Sequence, residues 1–285
     1  MSTTRTYQFD VDTKRYLNRV NTYRSLNGLP NIQKSDAADI DNFVIGLKDL
    51  GIWSNTLCFL TRSTQNVGIG NVFYPIGGRA GDNVGGIFTQ AGAGTSTWTV
   101  SGIKQNVSTS GGGLLIGLFC NLTNNPQSAG YTMFGCLDVN NNGFYALGSK
   151  EFVNNVSDTG VQAGSFSNSR RTRLTTRASG ANQLDITTAE SIPNGQFFVT
   201  FAFVSTTQAI VKNNNFNGVT ANGNYILPPM NQLVFGNSSQ YLLNYGNLVT
   251  QAMFGVVYHT NIANQIGNSF YDLYRTTIGK GLSGL

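Results

Sequence analysis

The sequence predicts a mainly β protein: a two-sheet, jelly-roll-like sandwich over about residues 61–260, with a helical hairpin before it and one helix after it. Three observations carry this. Short runs of β-branched and aromatic residues recur from about residue 66, each bounded by Gly- or Asn-rich turn sequences. Helical periodicity is confined to the two ends of the chain. Charged residues make up only 11% of the 285, against about 25% in ordinary soluble proteins, while 40% are hydrophobic and 11% aromatic, a composition that disordered chains lack.

The first helix is expected over 11–27, "VDTKRYLNRVNTYRSLN", where Tyr16, Leu17, Val20 and Tyr23 form a narrow apolar stripe outside which Lys14, Arg15 and Arg19 fall. "NGLP", Asn27 to Pro30, stops it with both helix breakers. A second helix follows over about 36–50, with Ile40, Phe43, Val44 and Leu47 at helical spacing and Asp36, Asp39 and Asp41 at its positive end. Gly51 ends it, and Trp53 stands where it can fold back on the pair. Strands then read from "STWTVSGI", "LLIGLF", "YTMFGCLDV", "FYALGS", "TRLTTR", "FFVTFAFV", "QAIVKN", "NQLVFG" and "AMFGVVYH". "FFVTFAFV" is apolar on both faces apart from Thr200, so it should be covered on both sides. Ile262, Ile266, Phe270, Leu273 and Ile278 restore the helical period, and Gly279 and Gly281 close it. These readings divide the chain into 1–60, an arm with a helical hairpin, and 61–285, the sandwich with its C-terminal helix.

The formal charge of +5 reflects 13 acids rather than an abundance of bases, which argues against a nucleic-acid-binding face. The sequence contains no 18-residue apolar run for a membrane span, and "MSTTRTYQFD" lacks the apolar core of a signal peptide. Cys58, Cys120 and Cys136 cannot all pair within one chain; Cys120 and Cys136 lie in apolar runs, where a buried thiol is expected. Folding in a reducing cytosol fits this usage.

Three segments resemble a known group. "IDNFVIGLKDLGIWSNTLCFLTRSTQNVGIGNVFYPIGG" looks like the opening of a module common in tailed-bacteriophage virion proteins, where a "glW" helix end precedes the first sandwich strand. "FFVTFAFVSTTQAIVKNNNFNGVTANGN" with the later "NQLVFGN" resembles the strands of concanavalin A-like (laminin-G-like) sandwiches around an exposed turn. "MFGVVYHTNIANQIGNSFYDLYRTTIGKGL" resembles that module's closing strand and C-terminal helix. The similarity covers about 36–80 and 196–282. It implies a concanavalin A-like sandwich of fibre or decoration type, with trimers common among its members.

The candidate chemistry is sparse. In "LDVNNNGFYAL", Asp138, Asn140, Asn142 and Gly143 fall on the spacing of a calcium loop, but its twelfth position is Ser149 and its flanks are strand-like. "NNNG" reads instead as a hairpin turn between two strands. Sandwiches of this kind also host glycoside hydrolases, which need two facing carboxyl groups, usually as a strand-borne E-x-D-x-E. Here Glu151 and Glu190 are the only glutamates, and Asp82, Asp138, Asp158 and Asp185 have no acidic neighbour, so no enzyme is expected. His259, the single histidine, has no Cys or acid beside it for a metal site or triad, and "NVGIGNVFYPIGGRAG" lacks the Gly-Lys-Ser/Thr of a phosphate cradle. In "SRRTRLTTRASG", a strand would put Arg171, Arg173 and Arg177 on one face and Leu174 on the other. Such a face grips a carboxylate-bearing sugar or an acidic patch on a neighbouring subunit, or it is an outward face or edge strand whose charge blocks edge pairing. Trp98, Tyr74, Tyr225 and Tyr241 suit stacking on sugar rings, or core and interface packing.

The expected function is therefore that of a non-catalytic structural protein of a bacteriophage particle: a capsid decoration, head fibre or tail-associated subunit. It self-associates, as a trimer, and anchors to capsid or tail through residues 1–60, without cofactor, metal, membrane or nucleic acid. The alternative is a lectin-like module of a phage fibre that recognises host-surface glycan. Either would reside in the virion, assembled in the host cytoplasm.

Overall fold

In the computed structural model the described residues are 8–79, 86–92, 95–106, 112–117, 131–139, 146–149, 161–166, 171–178, 181–187, 196–203, 207–214, 218–222, 233–236, 248–258 and 267–285. Helices α1 (Val11–Leu26) and α2 (Lys34–Asp49) lie at one end of the chain and α3 (Gly267–Thr276) at the other. Between them run β1 (Thr56–Leu60), β2 (Val72–Phe73), β3 (Pro75–Ile76), β4 (Gly86–Gly92), β5 (Thr95–Thr99), β6 (Gly102–Asn106), β7 (Gly112–Gly117), β8 (Tyr131–Val139) and β9 (Ala146–Ser149). They are followed by β10 (Val161–Phe166), β11 (Arg171–Ala178), β12 (Ala181–Thr187), β13 (Gln196–Phe203), β14 (Gln208–Asn213), β15 (Val219–Asn222), β16 (Leu233–Gly236) and β17 (Leu248–Tyr258).

Among the described residues these strands make sheets of nine, five and three strands. The large sheet runs β15-β14-β13-β8-β17-β1-β3, with β6 also on β17 and β5 on β6. The second runs β2-β4-β7-β16-β9, and the third is β10-β11-β12. β17 organises the large sheet. Along one edge it pairs with β8; along the other it pairs with β1 over 253–257 and with β6 over 248–251. The change of partner falls at Ala252, where the register against β8 shifts and the Ala252 carbonyl accepts the Thr61 N–H at 3.0 Å. A bulge of this kind bends the strand and re-aims its side chains.

All five side chains of β1 are buried, so both faces of the large sheet are covered there. One cover is helical. Cys58, Leu60, Phe134, Met253 and Val257 share a core with Tyr16, Leu17 and Val20 of α1, Ile40, Phe43, Val44 and Leu47 of α2, and Phe270 and Tyr274 of α3. On the opposite face, by alternation, Phe59 stacks on its cross-strand partner Phe254 at 4.8 Å. Two glycines permit the close layering. A Cβ at Gly255 would collide with the Leu57 carbonyl and the Phe134 ring, which in turn meets Phe270 edge-on at 4.9 Å. A Cβ at Gly46 would collide with Leu273, where α2 and α3 cross. A mid-helix glycine costs about 1 kcal/mol relative to alanine, and this crossing offsets it.

Several expectations change. The sandwich begins at Thr56, not residue 61, because β1 pairs with both β17 and β3. The helical hairpin packs on the sandwich, since α1 and α2 share the sheet's core. "LDVNNNGFYAL" is not a hairpin: β8 belongs to the large sheet and β9 to the second, so residues 140–145, outside the described set, join two sheets. Asn-Gly chemistry favours a reversal, but partners distant in sequence decide which sheet receives the next strand. Val72–Ile76 also serves both sheets, with β2 on β4 and β3 on β1, and only Tyr74 between them.

The segment between β1 and β2 is held by side-chain bonds. The buried Asn66 amide donates to the Leu60 carbonyl at 2.8 Å and the Tyr74 carbonyl at 3.0 Å, and its oxygen accepts from the N–H groups of Val67 and Tyr74. Asn66→Ala leaves these backbone groups without partners and should cost about 3 kcal/mol or more, read as a fall in the urea midpoint at unchanged m-value. Burial pushes the Cys136 thiol up to about 12 and raises that of Cys58 well above its ordinary range. Both should resist a thiolate-directed reagent in the native protein and react on unfolding, as mapped by mass spectrometry.

Candidate functional site

The arginines of "SRRTRLTTRASG" fall on β11, the middle strand of the three-stranded sheet. Protection of a free edge is thus not their role in this sheet. Arg171 stands opposite Phe166, and Arg173 stands between Gly164 of β10 and Thr187 of β12. Thr175 lies between Gln162 and Asp185, and Arg177 faces Asn182 after a register shift that takes up Gln183 on β12. Directly opposed residues share a face, so the register places Arg171, Arg173, Thr175 and Arg177 on one face together with Phe166, Gly164, Thr187, Gln162, Asp185 and Asn182. The other face carries Thr172, Leu174 and Thr176 with Ser165, Ala163, Val161, Ile186 and Leu184, of which Ile186 is only 3% exposed.

Trp98 lies elsewhere, on β5 of the large sheet. Its Nε1–H donates to the Gly70 carbonyl at 2.8 Å and its ring stacks on Phe73 at 4.4 Å, so the half-buried indole ties the 68–71 loop to the β5–β6 hairpin. Tyr74 meets Tyr23 edge-on at 6.3 Å, with the Arg19 guanidinium 5.8 Å from its ring centre. Tyr225, Tyr241, His259, Glu151, Glu190, Asp82 and Asp158 lie outside the described residues. Asp138 sits within β8, half-buried, opposite Gln196 and Thr250. Among the described residues no group of three or more His, Cys, Asp or Glu is placed to hold a metal ion.

A polar cluster that the sequence did not flag lies under the helices. Arg24, buried at 8% exposure, donates through Nε to the Pro30 carbonyl at 2.6 Å and through Nη1 to those of Ser63 and Asn66, both at 2.8 Å. Arg62 reaches the carbonyls of Val100, Ile278 and Lys280, and Gln65 also donates to Ile278. Carbonyl dipoles past the end of α3 thus compensate a guanidinium charge. The available signal was spacing: Arg24 continues the buried series Thr13, Leu17, Val20 of α1. A shallow depression of about 450 Å³ lies on the outer side of α1, lined by Asn18, Asn21, Thr22, Ser25, Leu26 and Asn31.

At the other end of α1, Lys48 Nζ stands 2.7 Å from both Asp10 Oδ1 and Asp12 Oδ2, and 5.2 Å from the Trp53 ring centre. Burial disfavours the charged form of Asp10, but the Lys48 ammonium and the Asp12 N–H outweigh it and hold the carboxyl below its ordinary range. Burial likewise lowers Lys48, and the two carboxylates reverse this into a net rise. The carboxylate's contribution is therefore complete above about pH 4 and lost as pH falls through the depressed value; the lysine's is lost only as pH rises past about 10. Lys48→Met should cost about 1 kcal/mol or less at pH 7, the pair being partly exposed, and the difference from wild type in urea melts should shrink toward pH 2–3.

No protein-family model and no curated protein matches the sequence. In fold the chain is similar to the binding domain of botulinum neurotoxin DC in complex with SialylT, with a TM-score of 0.53 at 13% identity, over 78% of this chain and 52% of that one. It is similar also to botulinum neurotoxin type C, whose uptake into cells depends on interaction with two ganglioside molecules, with a TM-score of 0.55 at 12% identity over 78% and 52%. The serotype C1 binding domain gives 0.54 at 14% over 78% and 53%. The chain spans about half the length of these structures. At this identity the likeness is one of fold, and that fold is a β-sandwich.

Proposed function

We propose that the chain is a non-catalytic recognition module that binds carbohydrate at a cell surface. The observation that carries the reading is the shared sandwich, matched over 78% of the chain to receptor-binding domains, of which one is in complex with SialylT and another depends on gangliosides. The arrangement of layers agrees with it. Three helices occupy one face of the large sheet, so that face contributes stability, and recognition is left to loops and to the smaller sheets. Loops and faces held by a rigid scaffold are the usual carriers of binding.

A second reading, compatible with the first, is a structural subunit of a phage particle that self-associates. One observation favours it: the separate stretches that resemble the virion module meet in space. β1 pairs with β17, and α2 crosses α3 at Gly46 and Leu273. The stretch that resembles the opening of that module has Gly51 at φ +70° after α2, Trp53 in a short 3-10 turn, and β1 next. Removal of residues 1–60 does not test particle attachment, since it also removes β1.

A glycan array probed with the full chain at micromolar concentration should give a defined set of positive glycans. A blank array would sink the recognition reading. Multi-angle light scattering on the same preparation should report a trimer if the subunit reading holds, and a strict monomer at tens of micromolar would remove it.

A further inference from the structure

We propose that the depression between the outer side of α1 and the loop that follows it is a binding site for neutral oligosaccharide; this rests on the recognition reading above and gives it a place and a class of sugar. Asn18, Asn21, Thr22 and Ser25 recur at i, i+3, i+4 and i+7, so they form a strip about 10 Å long on the side of α1 away from the core. Asn31 adds a side chain from the loop, and Leu26, 81% exposed, closes the end of the strip. The volume of about 450 Å³ falls within the range of sites that hold small ligands. The loop wall is held firmly. Gly28, at φ +72°, turns the chain back, the Leu29 N–H donates to the Arg24 carbonyl at 2.8 Å, and Arg24 Nε holds the Pro30 carbonyl at 2.6 Å. The Ile32 N–H donates to Asn21 Oδ1 at 2.9 Å, and the Ile32 side chain joins the core. Asn31 is thus fixed from both sides while its own side chain stays exposed, and Asn21 keeps Nδ2 as its donor toward a ligand. A wall already in place saves a ligand the entropy of ordering it.

The chemistry of the lining selects the occupant. Among the described residues no ionisable side chain lines the depression, although α1 itself carries Lys14, Arg15, Arg19 and Arg24. Arg15 pairs with Asp12, Arg19 reaches the Pro75 carbonyl, Arg24 is buried, and Lys14 lies one turn before Asn18. A phosphate or carboxylate that entered here would give up water for no cation, and a cation would meet no carboxylate. Carboxamides and hydroxyls both donate and accept, as the hydroxyls of a sugar do, and Leu26 offers an apolar contact to the C–H face of a ring. Helix stability does not account for the strip. Asn, Thr and Ser are weaker helix formers than alanine, and packing does not require them at the exposed positions 18, 22 and 25. The inner side of α1 serves the core, which leaves this outer side and the loop beside it for recognition.

The test uses the full chain, first on an array of neutral and acidic glycans and then in calorimetry with the free oligosaccharide that gives the strongest neutral signal. Neutral glycans should be among the positives, and the measured affinity should not change as salt is raised, since no charge pair forms. Asn18→Ala and Thr22→Ala should each weaken that oligosaccharide about 3- to 10-fold, and N18A/T22A/S25A at least about 30-fold. The three positions are exposed and alanine favours the helix, so circular dichroism and the urea midpoint should hold or improve in each variant. Neutral binding retained in the triple variant, or an array on which only acidic glycans are positive, overturns this site and leaves the recognition reading standing. A fall in affinity with salt overturns the site as well. Loss of self-association in the triple variant with glycan binding intact also overturns it and assigns this face of α1 to a subunit contact. A blank array overturns both.

Discussion

Strand β1 keeps no side chain in water, and this double-sided burial governs the rest of the chain. A sheet apolar on both faces requires two covers. The helices supply one, through Cys58 and Leu60 against Val20, Phe43, Val44 and Phe270. Each such side chain contributes about 1.5–3 kcal/mol by leaving water, so the helical layer is part of the fold's stability rather than an attachment. The chain is folded around this strand from both ends: α1 and α2 arrive before it, and β17 and α3 return from the far end to pair with it and close over it.

Packing alone leaves the connecting backbone polar groups unsatisfied, and the segment 61–67 is where the chain resolves this. Carbonyls there and nearby accept from Arg24, Asn66 and the Tyr16 hydroxyl, and the residues Arg62 and Gln65 donate onward to the end of α3. Buried guanidinium groups bonded to carbonyls fix position without the geometry of an ion pair.

Local pattern made much of this legible. Ile40, Phe43, Val44 and Leu47 repeat at helical spacing and are all fully buried, and "YTMFGCLDV" and "QAIVKN" coincide with β8 and β14. Period reports which face of an element is buried. Partners were not legible. The neighbours of Arg173 come from β10 and β12, and whether β8 and β9 share a sheet depends on β13, β16 and β17, all far along the chain. Arg24 was missed because a charged residue in an apolar stripe reads as a solvated exception until its acceptors are seen. Trp98 read as a candidate platform, while its ring and N–H are taken by Phe73 and Gly70.

Tyr74 has a mechanical meaning. It is the single residue between a strand of one layer and a strand of the other, and the Asn66 side chain grips both its N–H and its carbonyl. The passage of the chain from one layer to the other is thus pinned by a single buried amide, at a point where strand pairing itself is interrupted.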